Sequence, residues 1–596
     1  MTTPATPPLL YDPLKLADSM AGVAERSQKL VQEFMTEAPD LGSSGMADLL
    51  SIESAFMELT AKMMADPLTF ATTTMELWSK YAAAWHQASQ RFFLPSTKPQ
   101  ASPAGDRRFK DKAWAENAIF EFIKQTYLMS AESILTAVRN VKGLDPKTAH
   151  KVNFYTKQFV DAIAPSNFIG TNPEVLSATI ETGGDNLVRG LSNLLDDLVR
   201  GKGRLAISMT DMNAFRLGEN VAATPGKVIA QNELMQLIQY APTTSEVKRR
   251  PLLIVPPWIN KFYILDLRPD NSFIRWAVAR GHTVFVISWV NPDERLAEKT
   301  FEDYMREGTL TALSLIEQAV GEREVNAVGY CLGGTLLAST LAYLAAQSND
   351  CVKSATYLVT LVDFTDAGDM AVFIDEQQLS SLEKRMQKRG YLEADDMATS
   401  FNMLRANDLI WSFVVNNYLL GKEPIPFDLL YWNADATRMP AAMHSFYLRN
   451  MYHENNLVKP GGITLAGIPI DLRRITTPSF VLSTREDHIA PWRSTYAATQ
   501  IYSAPVKFVL SASGHIAGVI SPPGSKYGHW ENESLPKLPE EWFQSATAAP
   551  SSWWPAWNKW ISEYGGGSVP AREPGSTKLP PIEDAPGSYV RVRAVA

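Results

Sequence analysis

The chain has 596 residues, 45% of them hydrophobic and 20% charged, with a net charge of −8 at pH 7. That length exceeds what one compact core holds, so at least two domains are expected, and no basic face marks a nucleic-acid binder. Only two cysteines occur, Cys331 and Cys351; the count excludes a disulfide framework and zinc sites built on cysteine pairs, and it fits a reducing cytosol.

The N-terminus, Met1-Thr2-Thr3-Pro4 onward, has neither the basic nor the apolar region of a signal peptide. Residues 12–93 read as helical: Leu14, Leu16, Met20, Val23 and Leu30 are loosely spaced, while Phe70, Leu77, Trp78, Tyr81 and Trp85 keep to one helical face. Pro95 to Gly105 has linker composition. Helical patterns resume from Trp114 to about Val141 and continue to about residue 205. The expected division is therefore an N-terminal segment with linker over 1–105, a helical domain over 106–210 and a catalytic domain over 211–596.

The third part changes character. Apolar runs at Leu252–Val255, Thr283–Ile287, Val325–Val328, Tyr357–Val362, Phe480–Leu482 and Val506–Leu510 alternate with helical stretches. Continuous apolar strands separated by helices predict a largely parallel sheet covered on both faces. The strand rhythm stops at Asp363 and resumes near Ile470, so an aromatic-rich insertion, about 364–465, is expected to cap the strand ends. From about Tyr564 the Gly and Pro content predicts an extended tail. The uncharged stretch Ala327–Ala346 is long enough to cross a bilayer, but Gly329, Gly333 and Gly334 fit a strand, a tight turn and a buried helix instead.

At that turn stands Gly329-Tyr330-Cys331-Leu332-Gly333, a Gly-x-Cys-x-Gly motif between a strand and a helix. This is the context of a nucleophile elbow, whose sharp turn needs neighbours without Cβ atoms, here Gly329 and Gly333. The following helix would direct its N-terminus at the sulfur, where its dipole favours negative charge. Arg485-Glu486-Asp487-His488 follows one later strand and Ser513-Gly514-His515 the next. Nucleophile, acid and histidine in that order at strand ends predict an α/β-hydrolase fold with a catalytic triad. Asp487 is preferred to Glu486, and His515 to His488, because adjacent side chains on a short loop usually diverge. An oxyanion hole needs two backbone N–H groups. Leu332 supplies one; Pro256 and Pro257 lack an N–H, so the other falls to Trp258 or, by preference, Ile259. A sulfur nucleophile suits thioester substrates, since exchanging one thioester for another is nearly thermoneutral. That points to acyl transfer with water excluded by a cap.

The set Val255-Pro256-Pro257-Trp258-Ile259-Asn260-Lys261, Gly329 to Gly334, Tyr431-Trp432-Asn433-Ala434-Asp435, Arg485 to Trp492 and Ser513 to Val519 resembles polyhydroxyalkanoate synthase. The Ser552-Trp553-Trp554-Pro555 run and the chain length resemble its class I members. The resemblance runs from about residue 106 to the end. It implies an acyltransferase that polymerises (R)-3-hydroxyacyl-CoA, of short chain in class I, with release of CoA and no metal or other cofactor. By motif match, Cys331 carries the growing chain, His515 deprotonates the thiol, and Asp487 orients the histidine or activates the incoming hydroxyl. The resemblance further implies a mobile cap, a homodimer, a cytoplasmic location and attachment to polyester granules and their associated proteins through the helical domain. A cysteine thioesterase or lactone hydrolase of the same fold is the alternative.

Overall fold

The computed structural model describes residues 44–65, 75–76, 78–83, 85–86 and 106–594. The helical spacing set by Leu14 to Leu30 and the linker Pro95–Gly105 lie outside the described residues. The chain forms two compact units: residues up to Asp211 with Phe401–Ile425, and Met212–Ser400 with Pro426–Ala596.

The first unit is helical. Its helices are α1 (Ser44–Met64), α2 (Ala118–Arg139), α3 (Pro146–Ala162), α4 (Pro173–Glu181) and α5 (Asp185–Arg200), with shorter turns between them. Their starts are written in the sequence. Asn117, Asp145 and Asn172 each accept hydrogen bonds from the first backbone N–H groups of α2, α3 and α4. Pro146 and Pro173 occupy the first turn, where no N–H is needed. Each cap contributes about 1 kcal/mol. Residues 401–425, read from sequence as cap, pack in this unit. Gly190 of α5 lies so close to the Tyr418 backbone that a Cβ there would sit 3.0 Å from Tyr418 Cα. Tyr418 donates to Asp197 at 2.5 Å, and Asn186 donates to Leu419 O at 2.7 Å. These polar anchors, spread singly along two segments, have no periodic sequence signal.

The second unit is built on an eleven-stranded sheet. Its strands are β1 (Gly226–Gln231), β2 (Met235–Tyr240), β3 (Leu252–Val255), β4 (Val284–Trp289), β5 (Val325–Tyr330), β6 (Val352–Leu358), β7 (Ser479–Thr484), β8 (Val506–Ser511), β9 (His529–Glu531), β10 (Thr547–Ala549) and β11 (Glu583–Asp584). The sheet order is β10-β9-β8-β7-β6-β5-β3-β4-β2-β1-β11. From β8 to β4 every pairing is parallel; both margins are antiparallel. All residues of β3, β4, β5 and β7 are buried, as strands covered on both faces must be. Full burial of a Leu, Ile or Val side chain contributes about 1.5–3 kcal/mol.

Two differences from the sequence reading have physical causes. β6 spans 352–358, not 357–362: Lys353 and Ser354 interrupt its apolar pattern, and the chain leaves the sheet at Val359, whose φ is 45°. The apolar run continues because the loop that follows is also buried. β1 and β2 add to the expected strands; in β2, Gln236 and Gln239 interrupt the apolar run. Both glutamines are fully buried and satisfied by the C-terminal segment: Gln236 by Glu583 and Ser588, Gln239 by Glu573 O and Gly575 N. The tail from Tyr564 is thus extended but packed, with β11 forming the sheet margin.

The Ala327–Ala346 stretch forms the end of β5, a turn and the buried helix α6 (Leu332–Ala346). Among the described residues no helix is long and apolar enough to cross a membrane. Between β6 and β7 the chain runs through helices and short strand pairs. After β10, helix α7 (Trp554–Ser562) drives Trp553, Trp554 and Trp557 into the core against Phe273.

Candidate active site

The end of β5 turns directly into α6, and the residue at the turn is Cys331, with φ 51° and ψ −119°. A non-glycine residue in such a conformation persists only where its surroundings hold it. Here Cys331 N donates to Leu358 O at 2.8 Å, while Cys331 O accepts from Gly334 N and Thr335 N. The glycines make the turn sterically possible. A Cβ on Gly329 would lie 2.9 Å from Gly334 N, and one on Gly333 would lie 2.6 Å from Pro256 O. Gly334, which the motif does not require, is pressed against Thr360 just past β6, where a Cβ would come within 2.7 Å of its methyl.

Asp487 and His515 lie in the loops after β7 and β8, which are neighbours in the sheet. His515 Nδ1 is 2.7 Å from Asp487 Oδ2, and the ring lies close enough to Cys331 for the sulfur to act on its charge. The three predicted residues therefore meet. Both oxygens of the carboxylate are occupied: Oδ1 accepts from Ile489 N and Ala490 N at 2.9 Å each, and Oδ2 also accepts from Thr484 Oγ1. Glu486 is exposed. His488 is half-buried, and its carbonyl accepts from Asp369 N. Burial opposes a charge on His515, but the Asp487 carboxylate and the Cys331 sulfur outweigh it and push the imidazole up to about 10.

The loop that carries one of the expected oxyanion groups starts beside the elbow. β3 ends beside β5, with Val255 paired to Gly329, so the Pro256–Lys261 loop begins next to the elbow. Leu332 follows Cys331 as the first residue of α6, and Ile259 lies three residues past Pro256, whose backbone a Cβ on Gly333 would meet.

The sequence reading missed two tyrosines close to the sulfur. Tyr447 and Tyr452, in the insertion, are near enough for the charge on Cys331 to raise their hydroxyl pKa values beyond the effect of burial. Phe364 packs edge-on against both rings, at 6.1 and 5.0 Å. Their only sequence signal was the aromatic richness of the insertion. Among the other histidines, His282 meets Asn558 and His529 bridges Ser551 O and Glu531. Among the described residues no group of three or more His, Cys, Asp or Glu side chains could hold a metal ion.

Comparison with known proteins bears on the family and the fold. Residues 105–277 match the family model described as poly-beta-hydroxybutyrate polymerase (PhaC) N-terminus, and residues 255–522 match the alpha/beta hydrolase fold. A poly(3-hydroxyalkanoate) polymerase of Methylorubrum extorquens is 50% identical over 93% of this chain and 92% of its own length. The poly(3-hydroxyalkanoate) polymerase subunit PhaC of Rhizobium meliloti (strain 1021) is 47% identical over 99% of this chain and 97% of its own. The corresponding subunit of Cupriavidus necator is 43% identical over 83% and 84%. A chain this similar over nearly its whole length, with an α/β-hydrolase fold, belongs to the poly(3-hydroxyalkanoate) polymerase family of transferases.

Proposed function

We propose that this chain polymerises (R)-3-hydroxyacyl-CoA thioesters into polyhydroxyalkanoate, with the growing chain held on Cys331. The observation that carries the reading is the buried Asp487–His515 contact meeting a cysteine at a strained elbow. His515 takes the thiol proton, and the sulfur attacks the thioester carbonyl. The negative oxygen is received by the N–H groups of Leu332 and Ile259. The carbon–sulfur bond to CoA then breaks, and His515 returns the proton to the departing thiolate. The 3-hydroxyl of an incoming acyl-CoA, deprotonated by His515, attacks the acyl-cysteine; the bond from the acyl group to Cys331 breaks, the sulfur takes the proton back from His515, and the chain, longer by one ester and now a CoA thioester, is returned to Cys331 with release of CoA. That Asp487 is filled by four donors supports its orienting His515 rather than taking the hydroxyl proton itself.

Tyr447 and Tyr452, close to Cys331 in the insertion, support this reading over a cysteine thioesterase or lactone hydrolase, because a polymerase must keep water from the acyl-enzyme. The test is turnover of 3-hydroxybutyryl-CoA by the purified protein. Thiol release with insoluble polyester supports polymerisation; thiol release with only free hydroxy acid refutes it. The Cys331→Ala chain should release no CoA.

The family resemblance extends the proposal to a cytoplasmic homodimer attached to granules. Exposed Phe159, Phe168 and Ile180 on the helical unit, at 58%, 50% and 79% exposure, support an apolar attachment surface there. Replacing all three with Ser should shift the protein from the granule to the supernatant fraction. Sedimentation of the free protein tests the dimer.

A further inference from the structure

An oxyanion donor is useful only if its N–H is held in one direction. In the Trp258–Lys261 loop three consecutive observations fix the backbone from behind. Thr437 Oγ1 donates to Trp258 O at 2.5 Å, Thr437 N donates to Ile259 O at 3.4 Å, and Trp432 Nε1 donates to Lys261 O at 2.7 Å. A trans peptide is planar, with its C=O and N–H pointing in opposite directions. Holding Trp258 O on the Thr437 side therefore turns the Ile259 N–H to the opposite side.

The bracket is itself locked from below. Lys261 Nζ lies 2.7 Å from Asp435 Oδ1, with the side chains only 3% and 1% exposed. Tyr263 donates to the other oxygen of Asp435 at 2.9 Å. A buried ion pair needs its remaining hydrogen-bonding capacity satisfied, and the C-terminal segment supplies a partner: Lys261 Nζ donates to Val590 O at 2.7 Å. That segment is fastened along its length. Tyr589 donates to Asn232 O, Val592 O accepts from Asn291, Arg593 donates to Tyr431 OH, and Ala594 O accepts from Arg438.

We propose that the Trp432–Thr437 segment, the buried Lys261–Asp435 pair and the C-terminal residues 589–594 form one positioning assembly that aims the Ile259 N–H at the developing oxyanion. None of these side chains is assigned contact with the reacting atoms; they are positioning residues. The packed tail is thus part of the acyl-transfer machinery although it carries no catalytic group. This inference rests on the Cys331 acyl-transfer reading given above.

The test uses the full-length protein, a chain ending at Ser588, and the near-isosteric Thr437→Val. CoA release from 3-hydroxybutyryl-CoA gives kcat and KM, and iodoacetamide reports the state of Cys331. The expected result for both variants is a fall in kcat of about tenfold or more, with KM changed less than about threefold and Cys331 alkylated at the wild-type rate. Thr437→Ser, which keeps the hydroxyl, should recover most of the lost kcat. Wild-type kcat in Thr437→Val overturns the proposal, and so does a parallel loss of kcat and alkylation, which would mean a disturbed triad. If the shortened chain does not fold, Thr437→Val and Thr437→Ser decide the matter. A full-length protein that releases no CoA would instead refute the acyl-transfer reading itself.

Discussion

Gly333→Ala isolates the steric requirement of the elbow. The added Cβ would lie 2.6 Å from Pro256 O and 2.7 Å from Pro256 C, and closer still to Val255 O, whereas real Cβ atoms essentially never approach within 3.0 Å. Something must therefore retreat by at least 3.0 − 2.6 = 0.4 Å, and more at Val255. The obstructing atoms are backbone at the end of β3, where Val255 is paired with Gly329 of β5, so no flexible side chain can absorb the shift. Either α6 moves away from β3 or the Pro256–Lys261 loop moves away from the elbow. Both separate Leu332 from Ile259. A displacement of about 1 Å at a reacting centre costs about a hundredfold in rate, so kcat for CoA release should fall by about ten- to a hundredfold. Overpacking costs about 1–3 kcal/mol of stability, offset by up to about 1 kcal/mol from replacing Gly with Ala in a helix. The assay pairs CoA release with denaturant unfolding. Gly170→Ala is the control, since a Cβ there meets nothing within 4 Å. A Gly333→Ala enzyme with kcat within twofold of wild type would show that the elbow does not depend on this approach.

Asp487→Asn removes the charge that holds His515 up near 10, so the imidazole should lose its proton at lower pH, towards its ordinary range; NMR of carbon-labelled histidine reads this, and kcat should fall by about a hundredfold or more. His444 is buried, neither ring nitrogen has a hydrogen-bond partner among the described residues, and burial lowers it to about 3. Its folded pKa lies below its unfolded value, so the stability it permits is present above about pH 6.5 and is lost as pH falls towards 3, at up to about 1.4 kcal/mol per pH unit. His444→Leu should flatten that part of the stability profile in urea titrations across pH 4–7. Trp557 packs 4.9 Å from Phe273 and donates to Thr356 Oγ1 at 2.9 Å; Trp557→Ala should cost about 3–5 kcal/mol, measured by denaturant unfolding.

The candidate site is legible in the sequence because each of its parts has a local signature. Gly329 and Gly333 flank Cys331 at a spacing that only a tight strand-to-helix turn explains, and Asp487 and His515 each follow a short apolar run. Burial then separates the alternatives that spacing could not: Asp487 is enclosed by four donors while Glu486 is exposed. What stayed hidden depends on contacts between distant segments. Gln236 and Gln239 look like residues that weaken a strand, and only the tail at residues 573–588 explains their burial. Likewise Phe401–Ile425 belongs with the helical unit because Gly190 admits the Tyr418 backbone.

Lys261 and Asp435 show why such contacts escape a sequence reading and still matter. They are 174 positions apart (435 − 261), and each alone reads as an ordinary surface charge. Paired and buried, they cost desolvation that a well-packed apolar pair would avoid. Breaking the pair would strand a buried charge, so the loop before Lys261 and the segment before Asp435 are tied to one geometry. That rigidity is most useful where the rate depends on the direction of a single N–H. The same reasoning explains the strain at Cys331: a φ of 51° is unfavourable for the free chain, and it is tolerated because β5, β6 and α6 leave the residue no alternative. In both places the fold commits free energy to direction rather than to stability.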